Sequence, residues 1–231
     1  MLNFSQTTPA VTDGDLERAK EFPNFHLITH PLVQDKLSRM REEHTSTGNF
    51  RQLMKQVGVL MGYEVTRDLP VEFRAIRTPL TEMTAPYIQK PMVAIVPILR
   101  AGTGLADGLL ELMPAARMGN IGLYRDHVTH KPVEYMVKLP SVENRLFLLV
   151  DPMLATGHSA AYAVDVLLKH GVKKENIRFV ALLAAPEGMR EFNKHHADIP
   201  VYCASLDSHL NEHNYIVPGL GDAGDRLYGT S

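Results

Sequence analysis

Residues 145–160 read RLFLLVDPMLATGHSA. An unbroken apolar run ends in an acid, Asp151, a short turn closes on Thr156-Gly157, and a helix opens at Ser159. An apolar run with no polar alternation predicts a strand buried on both faces, the kind found in parallel sheets covered by helices on each side. Similar runs at 92–99, 121–124, 177–184 and 201–205 alternate with helical patterns at 104–112, 159–170 and 187–195. The expected fold is therefore α/β, a mostly parallel twisted sheet flanked by helices. In such sheets ligands gather beyond the carboxyl ends of the strands, which directs attention to the turns after Leu99, Tyr124 and Val150.

Upstream, 31–43 reads as a helix. Phe50, Leu53, Met54, Val57, Leu60 and Met61 fall at helical spacing behind Asn49, taken as the N-cap. The stretch 125–138, RDHVTHKPVEYMVK, carries charge, His and Pro with weak periodicity and is expected to be a mobile loop or β-ribbon over the site. Residues 1–29 are read as an N-terminal arm, loosely attached to about Glu21, and 30–231 as a single domain.

The chain has 231 residues, 45% hydrophobic and 22% charged, enough for a substantial core without disulfides. Lys plus Arg is 24 and Asp plus Glu 26, so no broad attraction to nucleic acid or anionic membrane is expected. The opening MLNFSQTTPAVTDGD lacks a basic stretch followed by an apolar core, and no window approaches a membrane span, so neither secretion nor membrane insertion is expected. The single cysteine, Cys203, sits in an apolar run and reads as a small buried hydrophobe in a reducing cytoplasm.

The 151–159 turn has the parts of a phosphate and sugar site. Asp151 can accept from sugar hydroxyls, the backbone N–H groups of 155–159 can approach a phosphate at the helix N-terminus, and Thr156 and Ser159 can add hydroxyl donors. Taken alone, the pattern is also that of an ordinary strand-to-helix turn capped by Ser or Thr. Arg100 and Arg125, each following an apolar run, stand at the same edge, although either alone could be a surface arginine.

VDPMLATGHSA resembles the phosphoribosyl-diphosphate loop of the type I phosphoribosyltransferases, in the version found in the uracil-specific branch. VPILRAGTGLADG (96–108) is similar to that family's pyrophosphate loop, GLYRD (122–126) to its second basic position, and NEHNYIVPGLGDAGDRLYGT (211–230) to its base-binding C-terminus. The match runs in register from His30-Pro31 to the end.

The resemblance implies transfer of phosphoribose from 5-phospho-α-D-ribose 1-diphosphate to uracil, giving UMP and diphosphate. It assigns Arg100 and Arg125 to the pyrophosphate, and Asp151, Pro152, Met153, Leu154, Ala155, Thr156, Gly157, His158 and Ser159 to the ribose and 5-phosphate. Ile216, Gly221, Asp222 and Ala223 would contact uracil, with Asp222 also near the ribosyl-diphosphate and in a catalytic role beside Arg100, Arg125 and Asp151. Mg2+ is implied, bound chiefly through substrate oxygens and water. A homo-oligomer, dimer or tetramer, and a GTP effector are further implications of the resemblance.

His158 departs from the family, which most often has Gly there, and is expected to point into solvent while backbone N–H groups hold the phosphate. The competing reading is a regulatory protein on the same fold that senses ribosyl-diphosphate or UMP and contacts RNA. It calls for a clustered basic face, against which the charge balance argues. Two short matches are set aside. Gly219-x-Gly221-x-x-Gly224 has too little chain after it for a βαβ unit, and His209-Leu-Asn-Glu-His213 sits among helix-breaking residues, unsuited to a zinc-bearing helix.

Overall fold

A computed structural model describes residues 11–89, 93–125 and 132–230. In chain order it contains α1 (Asp13–Lys20), β1 (Phe25–Leu27), α2 (Pro31–Arg41), α3 (Thr47–Val65), β2 (Val71–Arg77), β3 (Glu82–Ile88), β4 (Val93–Leu99), α4 (Gly102–Leu112), β5 (Arg117–Met118) and β6 (Asn120–Arg125). There follow β7 (Pro132–Lys138), β8 (Leu146–Val150), β9 (Met153–Leu154), α5 (His158–Lys169), β10 (Ile177–Ala184), α6 (Pro186–His196), β11 (Val201–Leu206), β12 (His209–Leu210), β13 (Ile216–Val217) and α7 (Ala223–Tyr228).

Among the described residues nine strands form one sheet, with path β1-β11-β10-β8-β4-β6-β7 and with β5 beside β4 and β9 beside β10. Every pairing in it is parallel except β6 with β7. The chain runs from β4 outward to β6 on one side, then back past β4 to β8, β10 and β11 on the other. Strand order thus reverses between β4 and β8, and a crevice opens at their carboxyl ends.

The apolar runs are continuous because both faces are covered. Phe147 and Leu149 of β8 pack with Val164, Leu167 and Phe192 of α5 and α6. Leu148 and Val150, one residue out of phase, pack with Met54, Val57, Leu105 and Leu109 of α3 and α4. Cys203 is fully buried, and burial pushes its thiol up to about 12, which leaves it unreactive.

Two expectations shift, and a third stretch takes one of its two expected forms where it is described. Ser46, not Asn49, caps α3, because its hydroxyl accepts from the Asn49 N–H and so places Asn49 inside the first turn. The described part of the stretch read as an arm carries α1, closed by a Thr12/Asp15 capping box, and β1, which pairs with β11. Arg18 donates to the Leu206 carbonyl and Glu21 pairs with Arg190. The 125–138 stretch is a β-ribbon where described, β6 against β7, while 126–131 lie outside the described residues, as does Met92.

Helices α3 and α4 approach through glycine. A Cβ on Gly58 would collide with the Leu105 carbonyl, and one on Gly108 would collide with the Lys55 carbonyl and lie 2.8 Å from the Gly58 Cα. Gly108→Ala is therefore expected to cost about 1–3 kcal/mol in urea unfolding, although alanine in an unobstructed helix is about 1 kcal/mol better than glycine. Gly48→Ala, with nothing within 4 Å of the added carbon, is the control and should be neutral or slightly stabilising. Equal behaviour of the two variants would refute this packing.

Candidate active site

The order β8-β4-β6 sets the ends of three parallel strands side by side: Asp151 follows β8, Arg100 follows β4, and Arg125 closes β6. A Cβ on Gly102 would strike the Val150 carbonyl, so the start of α4 lies against the end of β8 only because that position has no side chain. The Leu99-Arg100 peptide at this junction is cis.

The turn after Asp151 is tied down at every step. Pro152 O accepts from the Leu182 and Leu183 N–H groups, each at 3.0 Å, and Leu154 O accepts from Ala185 N–H at 3.0 Å. Met153 and Leu154 pair with β10 as β9, a short strand with no signal of its own in the sequence. Gly157 then turns left-handed at φ 82° and opens α5 one residue earlier than expected, at His158. A Cβ there would collide with the Gly188 carbonyl, and one on Gly188 would collide with the Ala155 carbonyl. The loop and the start of α6 are in backbone contact through two glycines.

This geometry sorts the predicted residues. Asp151, Met153, Ala155, Thr156 and Ser159 face a cleft of about 420 Å³ whose far wall holds Ile216, Gly221, Asp222 and Ala223. Pro152, Leu154 and Gly157 are buried beneath it. His158 is half exposed, with Nδ1 3.5 Å from a Glu191 carboxylate oxygen. Arg100 is exposed, its guanidinium 5.2 Å over the ring of Tyr228. A hollow of about 560 Å³ bounded by Asp68, Arg145 and Arg178 is larger, but it lacks the convergence of strand ends and loop that marks this cleft.

Sequence reasoning missed His213, Asn214 and Tyr215, which also line the cleft. They are set by Asn211, whose side-chain oxygen accepts from the His213 and Tyr215 N–H groups. An Asx-type turn ahead of Ile216 is the signal that could have found them. His209 lies on β12 and His213 in this turn, so the H-x-x-E-H pattern is not on a helix.

Two charged groups hold the far wall. Asp207, 2% exposed, accepts from Arg41 Nη1 and Nη2 at 2.7 and 2.6 Å, from the Ser205 hydroxyl at 2.6 Å and from Gly219 N–H at 2.8 Å. Burial pushes this carboxyl up, but the Arg41 guanidinium and the other donors outweigh it and hold it below the usual carboxylate range. Arg226 donates to the carbonyls of Met40, Leu220 and Glu42 and lies over the Phe50 ring. Neither residue was singled out from the sequence.

Asp151 has the opposite balance. Burial pushes its carboxyl up to about 7, with the Asp222 carboxylate adding to the rise and only the Met153 N–H, at 3.5 Å, opposing it. Part of its surface stays open to the cleft, where hydroxyl donors of a ligand would restore the ionised form. As for a divalent cation, Asp151 and Asp222 are the carboxylates facing the cleft. Two suit a cation whose other ligands are diphosphate oxygens and water.

A parallel sheet with this reversal point, an acid-bearing loop opening a helix there, and an antiparallel ribbon at the edge fit the class of type I phosphoribosyltransferases that the sequence resembles. The comparisons narrow it. The family description uracil phosphoribosyltransferase matches residues 27–230. The chain is 62% identical over 210 residues to a uracil phosphoribosyltransferase of Rhodospirillum centenum, covering 91% of this chain and 97% of that protein. It is 59% identical over 209 residues to one of Paraburkholderia phymatum, covering 90% and 96%. A solved structure of a protein from Aquifex aeolicus, 33% identical, superposes with a TM-score of 0.83 over 90% of this chain and 99% of its own. The chain belongs to the uracil phosphoribosyltransferase family. These comparisons lend no support to the regulatory, RNA-contacting alternative.

The Asp151 balance has a definite sign. Because its folded pKa lies above the unfolded value of 3.8, the folded state retains a proton that the unfolded chain releases, so the group costs stability increasingly from pH 4 to about 7 and constantly above. Asp151→Asn should raise Tm at pH 8 and leave it nearly unchanged at pH 4. An equal shift at both pH values would show that Asp151 is not held near neutrality. Arg41→Ala should lower the unfolding free energy by about 3–5 kcal/mol, the cost of leaving a buried carboxylate unpaired. A loss below about 1 kcal/mol in denaturant titration would mean the pair is solvated.

Proposed function

We propose that the protein transfers the phosphoribosyl group of 5-phospho-α-D-ribose 1-diphosphate to N1 of uracil. The C1–N1 bond forms as the C1–O bond to diphosphate breaks, the N1 proton is lost, and UMP and diphosphate leave. The observation that carries this reading is the opposition, across one cleft, of the 151–159 loop and the 216–223 segment. Identities near 60% to uracil phosphoribosyltransferases over nearly their whole length support it.

In this reading, backbone N–H groups of 155–159 and the hydroxyls of Thr156 and Ser159 hold the 5-phosphate, and Asp151 accepts from the ribose hydroxyls. Arg100 and Arg125 face the departing diphosphate. Asp151 and Asp222, which line the cleft, would face a Mg2+ entering with the diphosphate, and that ion would supply charge neutralisation there. Fixing both reactants in line, with cations at the developing charge, lowers the barrier. The β6–β7 ribbon closes over the site and excludes water. Asp222 is fixed as the cap of α7 by accepting from the Asp225 N–H, and in this reading it lies beside the base and the ribosyl-diphosphate.

Uracil is read by backbone at Ile216, Gly221 and Ala223. A carbonyl accepting from N3–H beside an N–H donating to O4 presents the wrong polarity to cytosine. A homo-oligomer is part of this reading, supported by the β2–β3 hairpin, which exposes Phe73, Leu80 and Ile88. The buried lone thiol suits a cytoplasmic setting. The GTP response is carried by the family resemblance alone and is read by adding GTP to the assay.

Purified protein given ribosyl-diphosphate, Mg2+ and one base at a time should form UMP from uracil, with cytosine, orotate, xanthine and hypoxanthine slower by about 10^4-fold. Comparable turnover of cytosine would sink the backbone-readout account, and no nucleotide from any base would sink the reading itself. His158→Gly should change KM for ribosyl-diphosphate by less than about tenfold, since its side chain pairs with Glu191. A larger loss makes His158 a ligand. Asp222→Asn with near-normal turnover and an unchanged pH profile would rule it out as the acceptor of the N1 proton.

A further inference from the structure

The geometry points to Tyr228 as a positioning residue that sets the Arg100 loop for diphosphate from the far side of the cleft. This inference deepens the phosphoribosyl-transfer reading and rests on it.

Arg100 follows a buried strand, yet its own side chain is exposed and carries no ion pair among the described residues. What fixes it comes from the C-terminus. The Tyr228 hydroxyl donates to the Arg100 carbonyl at 3.0 Å and touches the Thr103 hydroxyl at 2.5 Å. The Thr103 hydroxyl lies 2.8 Å from the same carbonyl, and the Thr103 N–H donates to it at 3.2 Å. Two hydroxyl protons serve three oxygen contacts, so the Tyr228 and Thr103 hydroxyls and the Arg100 carbonyl form one small network. The Tyr228 ring lies under the Arg100 guanidinium, with the cation 5.2 Å from its centroid. One side chain therefore grips both the backbone and the charged end of Arg100.

The anchor itself is rigid. Tyr228 is the last residue of α7, and the neighbouring Leu227 is held twice: its carbonyl accepts from Arg51 Nε at 2.6 Å, and its side chain lies against Gly104, where a Cβ would come within 2.9 Å of it. Gly229 ends the helix in the left-handed region at φ 68°. At the other end of α7 stands Asp222, in the cleft. Six residues of helix span about 9 Å, so one short rod joins the base-side wall to the diphosphate-side arginine. Among the described residues Tyr228 supplies the one side-chain hydrogen bond that Arg100 receives from outside its own turn, in addition to the packing of Gly102 on the Val150 carbonyl.

The test separates the hydroxyl from the ring. Tyr228→Phe keeps the ring under the guanidinium and loses the network. It should raise KM for ribosyl-diphosphate and the inhibition constant for diphosphate together, each about fivefold, with KM for uracil and kcat within about twofold. Thr103→Val should reproduce that pattern and Thr103→Ser should restore it. Tyr228→Leu, which also removes the ring, should go further, to about twentyfold. A merely structural role would lower Tm or the active fraction and leave both constants unmoved, and that outcome would overturn the inference. Ribosyl-diphosphate with Mg2+ is also titrated calorimetrically into wild type and Tyr228→Phe. If wild type binds it but forms no UMP, the transferase reading fails while the relative affinities still decide the role of Tyr228: weaker binding by the variant upholds it, and equal binding overturns it.

Discussion

The buried carboxylate of Asp207 is tied on three sides: to Arg41 at the end of α2, to Ser205 on β11, and to the Gly219 N–H in the segment that follows β13. Arg41 returns to the same segment by donating to the Gly219 carbonyl at 2.7 Å. A charge out of water is tolerable only when fully paired, so these donors cannot part without a large penalty. The 216–223 wall of the cleft depends on that constraint. The segment 216–223 is short and rich in glycine, with left-handed turns at Gly219 and Gly221, and has little packing of its own beyond Ile216, Leu220 and Ala223. The ion pair and the Arg226 bonds to α2 and its following turn give a loop of this kind a fixed shape.

The 151–159 side of the cleft achieves the same end by a different means. There, backbone lies against backbone at Gly157, Gly188 and Gly102, and each contact exists only for want of a Cβ. Strand ends, loop and helix start are thereby brought close enough for main-chain N–H groups to address a ligand directly. The cost appears at Asp151, whose carboxyl is pushed towards neutrality in the free protein. Above about pH 7 that burial costs the empty fold stability. Asp207 and Asp151 are both acids at strand ends, with opposite shifts that follow from their partners.

Much of this was legible in the sequence, and the reason is physical. The central strands are buried on both faces, so they appear as plain apolar runs, and the loop motif lies between two of them with its chemistry in consecutive residues. What was not legible has no local signature. Arg41 and Asp207 are 166 residues apart, and their pairing follows from the fold alone. Gly188 lies in the first turn of α6, where only the approach of Ala155 explains it. The β2–β3 hairpin alternates weakly, exposes most of its surface and carries Pro86, so neither period stood out. Asn49 was misplaced as a cap because Ser46 and Asn49 are both good capping residues three positions apart, and only the hydrogen bond between them distinguishes their roles.

In the proposed reaction one cleft, built from the 151–159 loop and the 216–223 segment, holds both halves of the product. A crystal structure of the protein with UMP tests it most directly. The 5-phosphate is expected on the N–H groups at 155–159 and the uracil ring hydrogen-bonded to main chain between Ile216 and Ala223. UMP bound elsewhere, or its base held by side chains away from that segment, would contradict it.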